Sequence, residues 1–265
     1  MMGYSNSKMV VYKKLSPNHS GKRTHAIDRI TPHCIVGQMS AEGLGDWFAK
    51  KSTQASSNYG IDKDGRVGLY VEEKNRSWCS SSNANDQRAV TIECASDTKE
   101  PYAFRDVVYQ TLIKLCVDIC KRNGKTKLIW ISNKTKALKY EPEEDEMLLT
   151  VHRWFANKSC PGSWMMDRMD DLAEAVTKQL SGSAANKPKK TDTKPKTDVP
   201  FKVRVDINNL IIRKGAGTNT AHTGKFTGKG VFTIVQVKSG TGSKAGWGKL
   251  KSGAGWISLD YAKRI

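Results

Sequence analysis

The chain has no apolar run approaching the roughly 20 residues that a membrane helix needs, so no membrane span is expected. Its opening, MMGYSNSKMVVYKKLSPNHS, lacks the apolar stretch of a secretory signal. This predicts a protein made in the cytoplasm without a leader. Cysteine is sparse: Cys34, Cys79, Cys94, Cys116, Cys120 and Cys160 include no CxxC pair, and none follows residue 160. A secreted disulfide framework is therefore not expected, and the six read as reduced thiols, mostly small core residues. Acidic residues are few, 26 against 44 Lys plus Arg, and the formal charge of +18 points to a polyanionic partner. With 38% hydrophobic residues the chain is too apolar for wholesale disorder. No long internal repeat is visible.

Large apolar residues are also missing from 181–200, SGSAANKPKKTDTKPKTDVP, until Val199. Three prolines and five lysines there make the composition of an extended, solvated linker. It separates a block at 1–180 from one at 201–265, both ordinary domain sizes. The last block holds 12 basic and 2 acidic residues, net +10, against +3 for the linker and +5 for the first block.

The first block mixes strand and helix signals. β-rich runs cover 33–37, 66–71, 89–94 and 128–131. Phe104, Val107, Val108, Leu112, Leu115, Cys116 and Ile119 fall at helical spacing, ending near Asn123-Gly124. A last helix is predicted from Ser163 or Trp164 to Leu180, with Met165, Met169, Leu172 and Val176 inward. The expected plan is α/β, a mixed sheet flanked by helices. In the second block, strand candidates at 202–207, 210–213, 230–237, 247–250 and 255–259 alternate with glycine-rich turns. That pattern predicts a small all-β barrel or sandwich.

The segment from Val151 to Gly162, VHRWFANKSCPG, carries His152 and Cys160, both zinc-type ligands, with Lys158 two residues before the thiol. Upstream, Thr31-Pro32-His33-Cys34 puts another imidazole at a strand edge. Three such ligands with a fourth position open to water make a catalytic arrangement, in which zinc acidifies water and polarises a carbonyl. Spacing alone does not decide it: a His and a Cys eight residues apart are more often unrelated.

Four segments in order, TPHCIVGQ, SSNYGIDKDGRVGLYVEE, RAVTIECA and VHRWFANKSCPG, cover most of residues 25 to 180. Together they resemble the zinc N-acetylmuramoyl-L-alanine amidases of the type shared by phage lysozyme-amidases and peptidoglycan recognition proteins. The resemblance implies zinc held by His33, His152 and Cys160, Glu93 as general base, and Lys158 stabilising the oxyanion. Amide hydrolysis needs an activated water, a proton carrier and compensation for an oxyanion, which these residue types supply. Two departures stand out. Ser57 occupies the place of a catalytic tyrosine of some members, which shifts weight onto Glu93. Trp78-Cys79 stands where many members have Trp-His, a histidine that is not a ligand. Trp78 and Tyr59 are candidates for lining the substrate groove. Cys34 and Cys94 each follow a site residue, so alternation directs them into the core.

The second block, LIIRKGAGTNTAHTGKFTGKGVFTIV followed by GWGKLKSGAGWISLDYAKRI, is similar to bacterial SH3-type wall-binding domains. Arg213, Gly215, Gly217, Gly255, Trp256 and Tyr261 carry that similarity. Trp247, Trp256 and Tyr261 are candidates for an aromatic binding groove, with at least one expected in the core. The whole reads as an endolysin-type enzyme cleaving between N-acetylmuramic acid and the L-alanine of the stem peptide. Its expected partner is Gram-positive peptidoglycan, with anionic wall glycopolymers suited to the basic second block. It would reach the wall after release from the producing cell. The alternative is a non-catalytic recognition protein on the same fold, marked by loss of a ligand, and all three are present. Nucleic-acid binding has only the charge in its favour.

Overall fold

Residues 29–34, RITPHC, and 89–94, AVTIEC, the latter from Thr91, alternate polar and apolar side chains with the period of a strand, and they form the centre of the fold. The structure, a computed structural model, describes residues 4–181 and 199–265 except 209, 219 and 241. Almost all of the expected linker at 181–200 thus lies outside the described residues. The chain divides into two compact units, Met1–Lys187 and Pro188–Ile265.

The first unit contains, in order, β1 (Val10–Lys13), β2 (His19–Lys22), β3 (Arg29–Cys34), α1 (Ala41–Ala49), β4 (Tyr59–Ile61), β5 (Val67–Leu69), β6 (Asn75–Ser77), α2 (Asn83–Arg88), β7 (Ala89–Cys94), α3 (Asp106–Arg122), β8 (Lys127–Ile129), α4 (Lys134–Lys139), β9 (Glu146–Leu149), α5 (Ser163–Met166) and α6 (Met169–Ser181). Seven strands make a mixed sheet in the order β1-β5-β4-β7-β3-β9-β8. Only the β4–β5 pair is antiparallel. β2 and β6 form a separate ribbon.

In the β3–β7 register, Thr31 pairs with Thr91, His33 with Glu93 and Cys34 with Cys94. Partners in a parallel register face the same way, so the apolar set Ile30, Cys34, Val90, Ile92 and Cys94 shares one face. These side chains join α3 and α6 in the main core. The two cysteines turn away from the site, as alternation predicted. On the other face α1 packs Leu44 and Phe48 against Tyr70. Gly60 permits this approach: a Cβ there would lie 2.6 Å from Leu44 Cδ2. The polar side chains on that face are buried yet bonded. Thr31 and Thr150 share a 2.7 Å hydroxyl pair, Asn85 Nδ2 donates to Thr31 at 3.0 Å, and Ser77 and Thr91 lie 2.7 Å apart.

β3 begins four residues earlier than its apolar run suggested, and Pro32 lies inside it. β3 pairs with β7 along its whole length but with β9 only at Arg29 and Ile30, so Pro32 lacks a neighbour on one side. α3 stops where Gly124 adopts a φ of +69°. Val108, Leu112, Leu115, Cys116 and Ile119 are buried as predicted; Phe104 is buried just ahead of the helix, while Val107 is 42% exposed. Val107 falls one residue off the inward arc. The expected final helix is two, α5 and α6, and at the break the Arg168 guanidinium donates to Trp164 O of α5 at 2.9 Å. Met165, Met169, Leu172 and Val176 are buried.

The second unit contains β10 (Phe201–Val205), β11 (Ile211–Arg213), β12 (His222–Phe226), β13 (Gly230–Gly240), β14 (Ser243–Leu250), β15 (Trp256–Ser258) and β16 (Lys263–Arg264). They form an antiparallel sheet in the order β12-β11-β15-β14-β13-β10-β16. Val203, Val205, Leu210, Ile212, Ile234, Leu250 and Ile257 are its core.

Candidate functional site

The site grows out of the register of β3 and β7. His33 and Glu93 are each the penultimate residue of a strand, directly opposed, and they face the same side. His33 Nδ1 and Glu93 Oε1 lie 4.0 Å apart. This is the carboxyl end of the parallel strands, where an α/β sheet characteristically presents a site.

β9 runs beside β3 and continues through Thr150 and Val151 into a turn at His152–Trp154. Trp154 anchors the turn by stacking on Trp130, with centroids 5.1 Å apart. The chain then loops back, and Arg153 N donates to Cys160 O at 3.1 Å. Cys160 Sγ ends 3.4 Å from His33 Nδ1 and accepts from Cys34 N at 3.4 Å. The rings of His33 and His152 lie 5.1 Å apart. One donor atom each from His33, His152 and Cys160 lies within 4.8 Å of the others. The three residues, 127 positions apart at the extremes, are thus brought together as expected.

Burial, with His152 as neighbour, holds His33 well below the usual histidine range. His152 is lowered by burial and by the charge of Lys158. Both imidazoles therefore carry the free lone pair that ligation requires. The Cys160 thiol is pushed up by its contact with Cys34 and by burial, so ligation would cost it a proton. Two neutral imidazoles and a thiol are a zinc-type donor set. His33 Nε2 and Glu93 Oε2 are buried without a hydrogen-bond partner. These residues fit the ion. Burial raises the Glu93 carboxyl to about 7, opposed by hydrogen bonding from Cys79. Lys158 is solvent-exposed and close enough for its charge to act on His152.

Cys79 joins the site although the sequence did not single it out as a site residue. Its thiol lies 3.7 Å from Glu93 Oε1, and His33, Cys79 and Glu93 form a second group with donor atoms within 4.8 Å. Ser81, in the same loop, puts its hydroxyl 3.0 Å from His152 Nε2. The departure of Trp78-Cys79 from Trp-His was the available signal.

Three of the five groove candidates, Tyr59, Trp247 and Trp256, are buried. Tyr59 is completely buried; its hydroxyl donates to Glu73 at 2.6 Å and accepts from Ser7 N at 2.8 Å, so it cannot line a groove. Its neighbour Ser57 is also enclosed, donating to Tyr59 O. Trp247 and Trp256 are buried within the second unit, whose small sheet needs large side chains for its interior, leaving Tyr261, 53% exposed, as the accessible ring. Trp78 is half-buried, its indole donating to Ser20 Oγ at 2.7 Å. Arg213 donates to Thr218 O and Thr220 O and so braces the turn after β11.

Solved structures to which the chain is similar include a mutant endolysin from Bacillus subtilis, with 15% identity over 62% of this chain and 97% of that one, TM-score 0.40. Another is the endolysin N-acetylmuramoyl-L-alanine amidase LysCS from Clostridium intestinale URNW, at 15% identity, 63% and 91% coverage, and TM-score 0.40. The hydrolase AmiA from Staphylococcus aureus, in complex with its ligand, gives 12% identity, 67% and 94% coverage, and TM-score 0.44. No curated protein matches the chain. The family model described as N-acetylmuramoyl-L-alanine amidase matches residues 23–163, more than half of the sequence. His33, Glu93, His152 and Cys160 all lie within that match, and the chain belongs to the N-acetylmuramoyl-L-alanine amidase family.

Proposed function

We propose that the protein is an endolysin-type peptidoglycan hydrolase that cleaves the amide between N-acetylmuramic acid and the L-alanine of the stem peptide. The observation that carries this reading is the convergence of His33, His152 and Cys160 beside a buried carboxyl in register with the first of them. Zinc bound by those three residues would polarise the scissile carbonyl and make water acidic enough to attack near neutral pH.

The protein's own groups divide the remaining work. Glu93 takes the proton of the attacking water and delivers it to the departing alanine nitrogen. A carboxyl raised to about 7 is matched to that exchange, being basic enough to accept and acidic enough to donate. Lys158 brings its ammonium to the oxygen on which negative charge develops. The crowded, largely buried setting of His33 and Glu93 excludes bulk solvent, which strengthens these interactions.

The second unit, on this reading, is an SH3-type wall-binding domain joined by the lysine- and proline-rich segment. Tethering raises the local concentration of substrate, and the unit's positive charge suits anionic wall polymers. The expected substrate is the Gram-positive wall. Purified protein incubated with such walls should release free L-alanine amino termini without new reducing sugar ends. Reducing ends would assign a different bond. Loss of activity with a chelator and recovery with zinc would separate the enzyme from a non-catalytic recognition protein.

A further inference from the structure

We propose that Cys79 is a positioning residue for Glu93, its thiol holding the carboxylate in the orientation from which it exchanges protons. The inference rests on the reading of Glu93 as the general base.

The chain delivers Cys79 to this place by a path that leaves it little freedom. β6 ends at Ser77, whose hydroxyl lies 2.7 Å from that of Thr91, two residues before Glu93 on the same face of β7. The next turn is clamped by the buried Asp86 of α2. Its carboxylate accepts from Cys79 N at 3.1 Å and from Ser80 N at 3.1 and 3.3 Å. Sγ is thereby fixed over the Glu93 carboxylate at 3.7 Å, within hydrogen-bonding reach for sulfur.

Among the described residues Glu93 has no other hydrogen-bond donor. Its Oε2 is buried without a partner, and among the described residues the Cys79 thiol is the one group donating to its Oε1. His33 Nδ1, at 4.0 Å, is beyond hydrogen-bonding distance and faces the Cys160 sulfur instead. In this contact the thiol is the donor and the carboxylate oxygen the acceptor. A glutamate side chain has three rotatable torsions, and this contact is what selects one orientation of the carboxylate. Cys79 lies outside the His33, His152 and Cys160 group, which offers three donors to an ion without it.

The test uses the full-length, zinc-loaded chain with a soluble muropeptide as substrate, comparing Cys79→Ala, Cys79→Ser, Glu93→Gln and the Cys79→Ala/Glu93→Gln double variant. Cys79→Ala is expected to lower kcat about ten-fold and leave KM within about two-fold, as loss of one hydrogen bond to a charged group implies. Zinc content and urea midpoint should stay at the wild-type values. Cys79→Ser, which restores a donor, should recover kcat to within about three-fold. In the Glu93→Gln background, Cys79→Ala should have no further effect. A normal kcat in Cys79→Ala overturns the inference, as does a serine variant no better than alanine. Zinc lost together with activity in Cys79→Ala would make the residue a ligand and overturn it too. Glu93→Gln separates the two levels: near-normal turnover there removes the base and the positioning role together. Slow turnover with zinc retained, beside a normal Cys79→Ala, removes the positioning role alone.

Discussion

Glu93→Gln is expected to make the chelator-treated protein more stable at alkaline pH, by an amount that vanishes in acid. The carboxyl titrates at about 7 in the folded protein, against the ordinary 4.5 of the unfolded chain, because burial disfavours its charged form. The shift is about 2.5 units, and at roughly 1.4 kcal/mol per unit it amounts to about 3 kcal/mol. The sign follows from proton counting. Below pH 4.5 both states hold the proton and Glu93 adds no difference. Between 4.5 and 7 the folded state binds more protons than the unfolded one, so stability falls as pH rises. By pH 8 the whole penalty is present. The side chain is only 18% exposed, so solvent screening removes little of it. Glutamine is similar in size and cannot ionise. Urea unfolding of the two full-length proteins in chelator at pH 5 and pH 8 measures the effect. The gain should be small at pH 5 and approach about 3 kcal/mol at pH 8, shrinking when zinc is added, because a nearby cation favours the carboxylate. A difference that does not change with pH would refute the argument that burial raises this group. The physical content is a trade: a charge kept in a buried site for function lowers the stability of the fold around it.

Cys160→Ala should abolish both zinc binding and wall hydrolysis, read by metal analysis and by release of L-alanine amino termini. Gly162→Ala should cost about 1–3 kcal/mol in urea unfolding, since φ is +87° and a Cβ would lie 2.7 Å from Pro101 O. A variant as stable as wild type would remove the reason for glycine at this position. Tyr59→Phe should cost about 1–2 kcal/mol through the lost hydroxyl bonds to Glu73 and Ser7, with turnover unchanged. A large fall in turnover without destabilisation would return Tyr59 to the groove. Deleting residues 182–265 should weaken retention on purified walls more than hydrolysis of a soluble muropeptide; equal losses would count against a separate binding role.

Much of the central architecture was legible locally. A strand reports itself by alternation: RITPHC carries polar side chains at every second position, and AVTIEC does so from Thr91, with apolar ones between. That pattern separates the face of His33 and Glu93 from the core face of Cys34 and Cys94 before any contact is known. The stripe of α3 and its stop at Gly124 are similarly local, because capping and 3.6-residue periodicity are properties of neighbouring residues. The short elements α1, α2 and α4 and the strands β4 and β6 gave no comparable signal. Too few residues fall in each for periodicity to emerge, and neighbouring elements decide their conformation.

The chemistry of the site divides along the same line. His33, His152, Cys160 and Glu93 could be singled out from residue type, strand position and the run VHRWFANKSCPG, since those are properties of the chain as written. Their meeting depends on β9 lying beside β3 and on the return loop from His152 to Cys160, which bring together residues more than a hundred positions apart. Tyr59 shows the reverse case: an aromatic beside a motif looks like a binding residue until the tertiary structure closes Ser7 and Glu73 over it. The role of Cys79 was hidden for the same reason, although its departure from Trp-His marked the position. Its approach to Glu93 is set by the clamp of Asp86 on a turn, and a hydrogen bond across two segments has no period for a sequence to display.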